Sequence, residues 1–282
     1  MTSANKGAAP QISVVTINFN QGRYLPAAVS SVQGQDMPEW EHIIVDPGST
    51  DESLEIYEGL SHDPRYVIIR GPDSGPADGL NKGFAQARGK IYYYLNADDE
   101  ATPGSFTKAL DLMNATGADI ICGDGYLIDE EGRRIRNLHS TWHSARDYVF
   151  GASVALQQAT YIRQEAFRSA GGFNVGNRFS WDGELLVDAA LAGAQIRVVP
   201  EILGAFRFYP TSITGSGTSA RHGTDDHDRI FRKVVGRSPR LFDQFERFIR
   251  RAWSLIRRRD VAVSRVRDRL LGRSIAAMAG RG

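Results

Sequence analysis

The sequence predicts an α/β fold: a mixed, mostly parallel sheet flanked by helices, with a helical extension at its C-terminal end. Three observations predict it. Short β-rich apolar runs alternate with segments of helical period through the first half of the chain, the pattern of a parallel sheet with crossover helices. Three of those runs end in polar or acidic residues that would gather along one sheet edge. The charge is also split. From Arg240 onward there are twelve Arg and no Lys against Asp243, Glu246, Asp260 and Asp268, so that tail carries about +8 and the rest about −7 of a net +1.

Element by element, residues 1–10 are small and polar and are read as a flexible tail without the apolar stretch of a signal peptide. Residues 12–19 form a first strand. Tyr24, Leu25, Ala28, Val29 and Val32 then share one helical face. Residues 42–46 form a second strand ending at Asp46, and Ser49 or Thr50 can cap a helix running through Tyr57. Residues 66–70 form a third strand, and 77–88 a helix with Leu80, Phe84 and Ala87 on one side. The run Ile91-Tyr92-Tyr93-Tyr94-Leu95 is a buried strand that stops at Asp98-Asp99, before Pro103-Gly104 breaks the chain. A helix over 103–114 and a short strand over 119–122 complete a first half, about residues 11–125.

The pattern changes in the second half, about 126–224. Residues 126–138, centred on Glu130-Glu131-Gly132, read as a hairpin. A short helix near Glu165, a turn at Gly171-Gly172-Phe173, a helix over 183–192 and strands near Ile196 and Leu203 come next. Residues 211–224, rich in Ser, Thr and Gly, read as a mobile loop over the site. Residues 225–282 read as a basic helical extension.

Several chemistries are excluded. A single cysteine, Cys122, rules out an intramolecular disulfide and a Cys-based zinc site, and its isoleucine neighbours mark a buried structural thiol. No apolar run is long enough to cross a bilayer. No G-x-G-x-x-G comes after the first strand, where Asn20-Gln21-Gly22 stands instead, and there is no P-loop. A diphosphate would therefore need another counter-charge. Asp98 and Asp99 at a strand tip can hold a divalent cation there, or can simply open a loop and cap the next helix. Asp46 can accept a hydrogen bond from the N–H of a nucleotide base, or can be a turn residue before Pro47-Gly48. Phe19 can stack on such a base.

The order of motifs resembles the family 2 glycosyltransferases of GT-A fold. Val14-Val15-Thr16-Ile17-Asn18-Phe19-Asn20 looks like their opening strand, and Ser30-Ser31-Val32-Gln33-Gly34-Gln35 like the helix after it. Val45-Asp46-Pro47-Gly48-Ser49-Thr50-Asp51 is similar to V-D-D/G-G-S-T-D. The segment from Asp73 to Gly83 is similar to D-x-G-x-x-D-A-x-N-K-G, and Leu95-Asn96-Ala97-Asp98-Asp99 to the D-x-D region. Gln158-Ala159-Thr160-Tyr161, Gly172-Phe173-Asn174 and Trp181-Asp182-Gly183-Glu184 resemble the acceptor half, so that the likeness spans about residues 11–215.

The resemblance implies a metal-dependent inverting glycosyltransferase. It would move a sugar from UDP, GDP or dTDP to a glycan or polyprenyl-linked acceptor, in surface polysaccharide or glycolipid assembly. Phe19, Asp46, Asp73 and Asp98 would bind the nucleotide sugar. Asp98 and Asp99 would hold Mn²⁺ or Mg²⁺. Asp182 would be the general base, although the helical pattern after it also makes it a helix-cap residue, and Glu184 is the nearest rival. Two positions depart from the family pattern: Asn96 replaces the first acid of D-x-D, and Pro47 stands directly after Asp46. Two other readings stay open, a sugar-nucleotide nucleotidyltransferase and an inactive glycan-binding or scaffold subunit of a membrane-associated assembly.

His222 and His227, beside Asp225-Asp226, are read as a polar loop, with a late metal-binding histidine as the alternative. In the tail, Phe242, Phe245, Phe248, Ile249, Trp253 and Ile256 fall at near-helical spacing with arginines between them. Residues 240–273 are therefore either a helical hairpin packed on the body or an interfacial segment on an anionic membrane. The acidic body argues against nucleic acid. The expected location is cytoplasmic, peripheral on the inner face of the cytoplasmic membrane.

Overall fold

A computed structural model describes residues 9–212 and 224–271. Four parallel strands make one half of the sheet: β1 (Ile12–Ile17), β2 (Trp40–Asp46), β3 (Tyr66–Arg70) and β4 (Ile91–Asn96). They are crossed by α1 (Leu25–Gln33), α2 (Ser53–Leu60) and α3 (Pro76–Gln86). The register pairs Ile17 with both Val45 and Asn96. The carboxyl ends of β1, β2 and β4 are therefore level, and the loops leaving them meet at one edge. This is where open α/β sheets bind ligands.

The second half continues with β5 (Glu100–Ala101), α4 (Ser105–Thr116), β6 (Ile120–Ile128), β7 (Arg134–Leu138) and α5 (Ala145–Val149). Then come β8 (Thr160–Arg163), α6 (Gln164–Ser169), α7 (Trp181–Leu191) and β9 (Ile196–Arg207). The sheet order is β3-β2-β1-β4-β8-β6-β9-β5, with β7 beside β6. β8 lies antiparallel between β4 and β6, which makes the sheet mixed. Three helices end the described chain: α8 (Thr224–Val235), α9 (Asp243–Arg257) and α10 (Arg259–Leu270).

Side chains alternate across each strand, so the sheet has two cores. Val14, Tyr93 and Leu95 pack with Leu25 and Val32 of α1 and Phe106 and Met113 of α4. Val15, Tyr92 and Tyr94 pack on the other face with Leu80 and Phe84 of α3, Trp181 and Leu185 of α7, and Ile230 and Phe231 of α8. Each fully buried side chain of this size contributes roughly 1.5–3 kcal/mol. An aromatic series holds α7 against β4: Tyr94 meets Phe173 edge-on at 5.3 Å, and Phe173 meets Trp181 at 5.4 Å. That contact fixes where Asp182, the next residue, sits.

Two elements are longer than the sequence reading. The short strand and the hairpin's first arm are one strand, β6, and the two strands near Ile196 and Leu203 are one twelve-residue strand, β9. Register shifts in their pairing around Asp124 allow both to run on without a break. The loop expected over the site lies mostly outside the described residues, as does His222.

Candidate active site

The β1 and β2 ends interlock. Asp46 is fully buried. Its Oδ1 accepts the N–H groups of Gly48 and Ser49, both at 2.6 Å, and its Oδ2 accepts the Tyr57 hydroxyl at 2.6 Å. Burial pushes the Asp46 carboxyl up, but the bonds from Tyr57, Ser49 and Gly48 outweigh it and hold the group below its ordinary value. Asp46 therefore shapes the loop after β2 from beneath. Buried Asn18 donates to Tyr57 at 2.7 Å and to Ser53 at 3.0 Å. Asn20 takes a left-handed φ of 52°, held by a bond from its N–H to Ser49 Oγ at 2.8 Å and one from Thr50 N–H to its Oδ1 at 2.9 Å. Between these anchored asparagines Phe19 stands 59% exposed, an aromatic face offered at the sheet edge. Asp73, on the loop from β3 to α3, accepts the Gly75 N–H at 2.9 Å.

The acid pair after β4 is split by its surroundings. Asp99 is buried, and its oxygens accept from Gln158 Nε2 at 2.7 Å, Asn96 Nδ2 at 3.1 Å and Arg207 N–H at 3.0 Å. Burial, and then the charge of Asp98, push its carboxyl well up. Asp98 is only half-buried. Its Oδ2 accepts the Tyr209 hydroxyl at 2.8 Å, and among the described residues no side chain donates to its Oδ1. Burial raises its carboxyl too, opposed by the Tyr209 bond and by nearby Arg207.

Arg207 is a buried hub that the sequence reading missed. Its Nε donates to the Asp98 carbonyl at 2.9 Å, its Nη1 to the carbonyls of Asp129 and Glu130, and its Nη2 pairs with Glu100. Through these bonds the end of β9 clamps the acid turn to the β6–β7 hairpin.

Asn96, the departure from D-x-D, has a clear task. Its Nδ2 donates to Asp99 and to Gln157 Oε1, both at 3.1 Å. An aspartate could donate to neither and would repel Asp99. Asn96→Asp is expected to destabilise the fold by about 1–3 kcal/mol, read as a lowered thermal midpoint.

Asp182 lies in the first turn of α7. Ser180 occupies the cap position, so Asp182 does not cap the helix. It lines a pocket of about 90 Å³ with Tyr94, Tyr148, Gln157 and Thr160. A Cβ on Gly183 would lie 1.8 Å from the Tyr148 hydroxyl, so only glycine lets that ring close over the pocket. Tyr94 Oη and Gln157 Nε2 are buried without a partner among the described residues, and such donors call for a ligand or water. Burial raises the Asp182 carboxyl, opposed by the backbone N–H groups of Gly183 and Asp182. Glu184, the rival, is spent on structure. It is buried and accepts from Asn177 at 2.8 Å, Lys233 at 2.9 Å, Asn174 at 3.1 Å and Arg229. Burial pushes it up, but those donors, Arg229 first, hold it at about 2.

A continuous network joins the two halves. Tyr209 reaches both Asp98 and, at 3.4 Å, Gln21 on the loop after Phe19. Asp99, Asn96 and Gln157 then lead from the acid turn into the Asp182 pocket. The side-chain bonds of Asp73 stay within its own loop. Three of the described histidines serve elsewhere. His227 bonds the Val149 carbonyl at 3.0 Å, His139 holds Asp124 at 2.6 Å and His143 meets Ser254 at 3.2 Å. Cys122 is buried and its thiol is pushed up to about 12 by burial, as a structural thiol should be.

Among the described residues no group of three His, Cys, Asp or Glu could enclose a metal ion. Magnesium-like cations do not need such a cage, because they keep several waters and bind through one or two carboxylates plus substrate phosphates. A half-buried carboxylate with one oxygen to which no described side chain donates, as on Asp98, fits that donor set.

The family model for glycosyl transferase family 2 matches residues 13–180. An uncharacterised glycosyltransferase of Mycobacterium tuberculosis is 28% identical over 188 residues, covering 65% of this chain and 70% of its own. A PGL/p-HBAD biosynthesis glycosyltransferase of Mycobacterium bovis is 29% identical over 185 residues, covering 62% and 68%. The fold is similar to that of S. aureus TarS 1–349 in complex with UDP-GlcNAc, at TM-score 0.65 and 17% identity over 92% of this chain and 74% of that one. It is also similar to the mannosyltransferase PcManGT of Pyrobaculum calidifontis in complex with GDP-Man and Mn²⁺, at TM-score 0.62 and 15% identity over 90% and 76%. These solved structures share the GT-A arrangement of a curled, mostly parallel sheet flanked by helices, while the sequence match carries the assignment: the chain belongs to glycosyltransferase family 2.

Proposed function

We propose that this glycosyltransferase is inverting, with Asp182 as its general base. The observation that carries the reading is the Asp182 pocket: a half-buried carboxylate, raised by burial, beside two buried donors that lack a partner among the described residues. An acceptor hydroxyl seated there gives its proton to Asp182. Its oxygen attacks the anomeric carbon from the face opposite the diphosphate, the bond from that carbon to the diphosphate breaks, and the electron pair leaves with the phosphate. A sugar hydroxyl is a poor nucleophile until its proton is leaving, so a placed base supplies much of the rate.

The donor is a sugar carried on UDP, GDP or dTDP. Phe19 lies against the base, and Asp46 meets it with whatever acceptor capacity its three internal bonds leave. Asp73 and Asp98 hold the rest of the donor. Asp98 would hold a divalent cation, Mn²⁺ or Mg²⁺, which would supply counter-charge to the leaving diphosphate. The role of Asp99 is to hold the turn that presents Asp98. The acceptor is a glycan or polyprenyl-linked glycan of surface polysaccharide or glycolipid assembly. The enzyme works in the cytoplasm, peripheral on the inner face of the cytoplasmic membrane. The names of the Mycobacterium relatives and the nucleotide sugars in the similar structures support this reading.

The test is a thermal-shift screen of UDP-, GDP- and dTDP-sugars with Mn²⁺, and then a transfer assay with the stabilising donor. One donor class raises the midpoint by several degrees; no shift with any of them would sink the reading. EDTA is expected to stop turnover and Mn²⁺ or Mg²⁺ to restore it. Undiminished transfer in excess chelator would remove the cation from Asp98.

A further inference from the structure

The α9 helix is mounted inside out. Its polar face is the one bound to the protein. Arg250 pairs with Asp147 at 2.8 Å, Glu246 with Arg146 at 2.8 Å, Arg251 donates to the Gly151 carbonyl at 3.1 Å, and buried Ser254 meets His143 at 3.2 Å. The opposite face carries the large apolar side chains and looks outward: Phe242 is 90% exposed, Phe245 and Phe248 71%, Trp253 58% and Ile256 54%. The next helix continues the surface. In α10, Ser264 and Asp268 are buried, with Asp268 paired to Arg136 at 3.4 Å, while Val263, Val266 and Leu270 are exposed. A helix settling on its own domain turns its apolar stripe inward. Monomeric proteins rarely leave a contiguous apolar patch of this kind in water.

We propose that the outward face of α9 and α10 is a docking surface for an anionic lipid bilayer. The charge pattern selects this occupant. Arg257 pairs with no acid among the described residues and borders the apolar stripe beside Trp253 and Ile256, in a tail that carries about +8. Like-charged rims of that density repel a second copy but attract anionic headgroups. The helices are short, and among the described residues none is long and apolar enough to cross a membrane. They therefore lie in the interface, with the rings among the acyl chains and the arginines at headgroup level. The surface is tied to the active site through α5. Tyr148 of that helix lines the Asp182 pocket, while its Arg146 and Asp147 hold α9. Docking the face thus fixes the acceptor side against the bilayer, where a lipid-linked acceptor would present its sugar. This last step rests on the function proposed above; the docking itself does not.

Vesicle flotation of the full chain tests it. The unaltered protein floats with vesicles rich in phosphatidylglycerol, remains at the bottom with pure phosphatidylcholine, and is partly stripped by high salt. A Phe245→Ser, Phe248→Ser, Trp253→Ser variant changes only outward-facing residues. It keeps its far-UV spectrum and thermal midpoint and loses vesicle binding by roughly tenfold or more. Asp182→Asn floats like the unaltered chain, so a failed transfer reading and a failed docking reading give different results. Three outcomes overturn the proposal: an unaltered chain that does not float with the anionic vesicles, a triple variant that floats equally well, or sedimentation as a dimer that the triple substitution disperses without any vesicle binding.

Discussion

Asp182→Asn is expected to lower kcat by roughly 10²–10⁴-fold, the range of general acid–base catalysis, while nucleotide-sugar binding survives. The substitution is nearly isosteric and removes only the ability to take a proton. Asp182 does not cap α7, so the fold does not depend on its charge. Its loss from the first helical turn costs about 0.3–1 kcal/mol through the helix dipole, too little to unfold the domain. The pH profile gives a second readout. The base works only when ionised, and burial raises its pKa. The acid limb of kcat is therefore expected above the ordinary carboxylate range, with rate falling as pH drops through it. In the Asn variant that limb disappears. Full activity in Asp182→Asn would take the role from Asp182. Glu184 could not inherit it, because its donors already hold it at about 2.

The parallel half of the fold is legible because its signals are local. Apolar runs such as Ile91-Tyr92-Tyr93-Tyr94-Leu95 can satisfy their burial only inside a sheet, and the helical faces of α1 and α3 repeat with the right period. The level strand ends result from that alternation. The second half is harder to read. The antiparallel insertion of β8 between β4 and β6 joins residues some seventy positions apart in sequence, from Tyr92 to Ile162, and no local period announces it. The two-residue β5 has no pattern at all and exists because Glu100 and Ala101 meet β9.

The site divides in the same way. Acids at strand tips declare themselves, but their supports do not. Tyr57 reads as one more apolar position on a helix, yet its hydroxyl braces Asp46. Arg207 ends a strand and looks like a surface charge, yet it is buried beneath the acid turn. Asn96 reads as a weakened ligand; its partners make it a bridge between Asp99 and the Asp182 pocket. Such roles depend on which groups face each other across the fold, and sequence order does not carry that information.

Asp98→Asn and Asp99→Asn are therefore expected to fail in different ways, although the residues are neighbours. Asp98 has one oxygen to which no described side chain donates, and it sits half-exposed. Its amide would still accept the Tyr209 hydroxyl, so the thermal midpoint should hardly move. With the negative charge gone, a cation is held far more weakly, and the transfer rate should fall by roughly 10²-fold or more if the cation supplies several kcal/mol of charge stabilisation. Excess Mn²⁺ should recover part of that loss. Asp99 presents the opposite case. Three donors converge on its two oxygens, and an amide offers one oxygen and turns an N–H₂ group towards the others. At least one buried donor then loses its partner, at about 1–3 kcal/mol, and the clamp between Arg207 and the acid turn loosens with it. Asp99→Asn should thus melt earlier, and what activity it keeps should not respond to added Mn²⁺. Equal midpoints for the two variants, with rescue by metal in both, would show that the acids share one task and that the division of labour drawn from their surroundings is wrong.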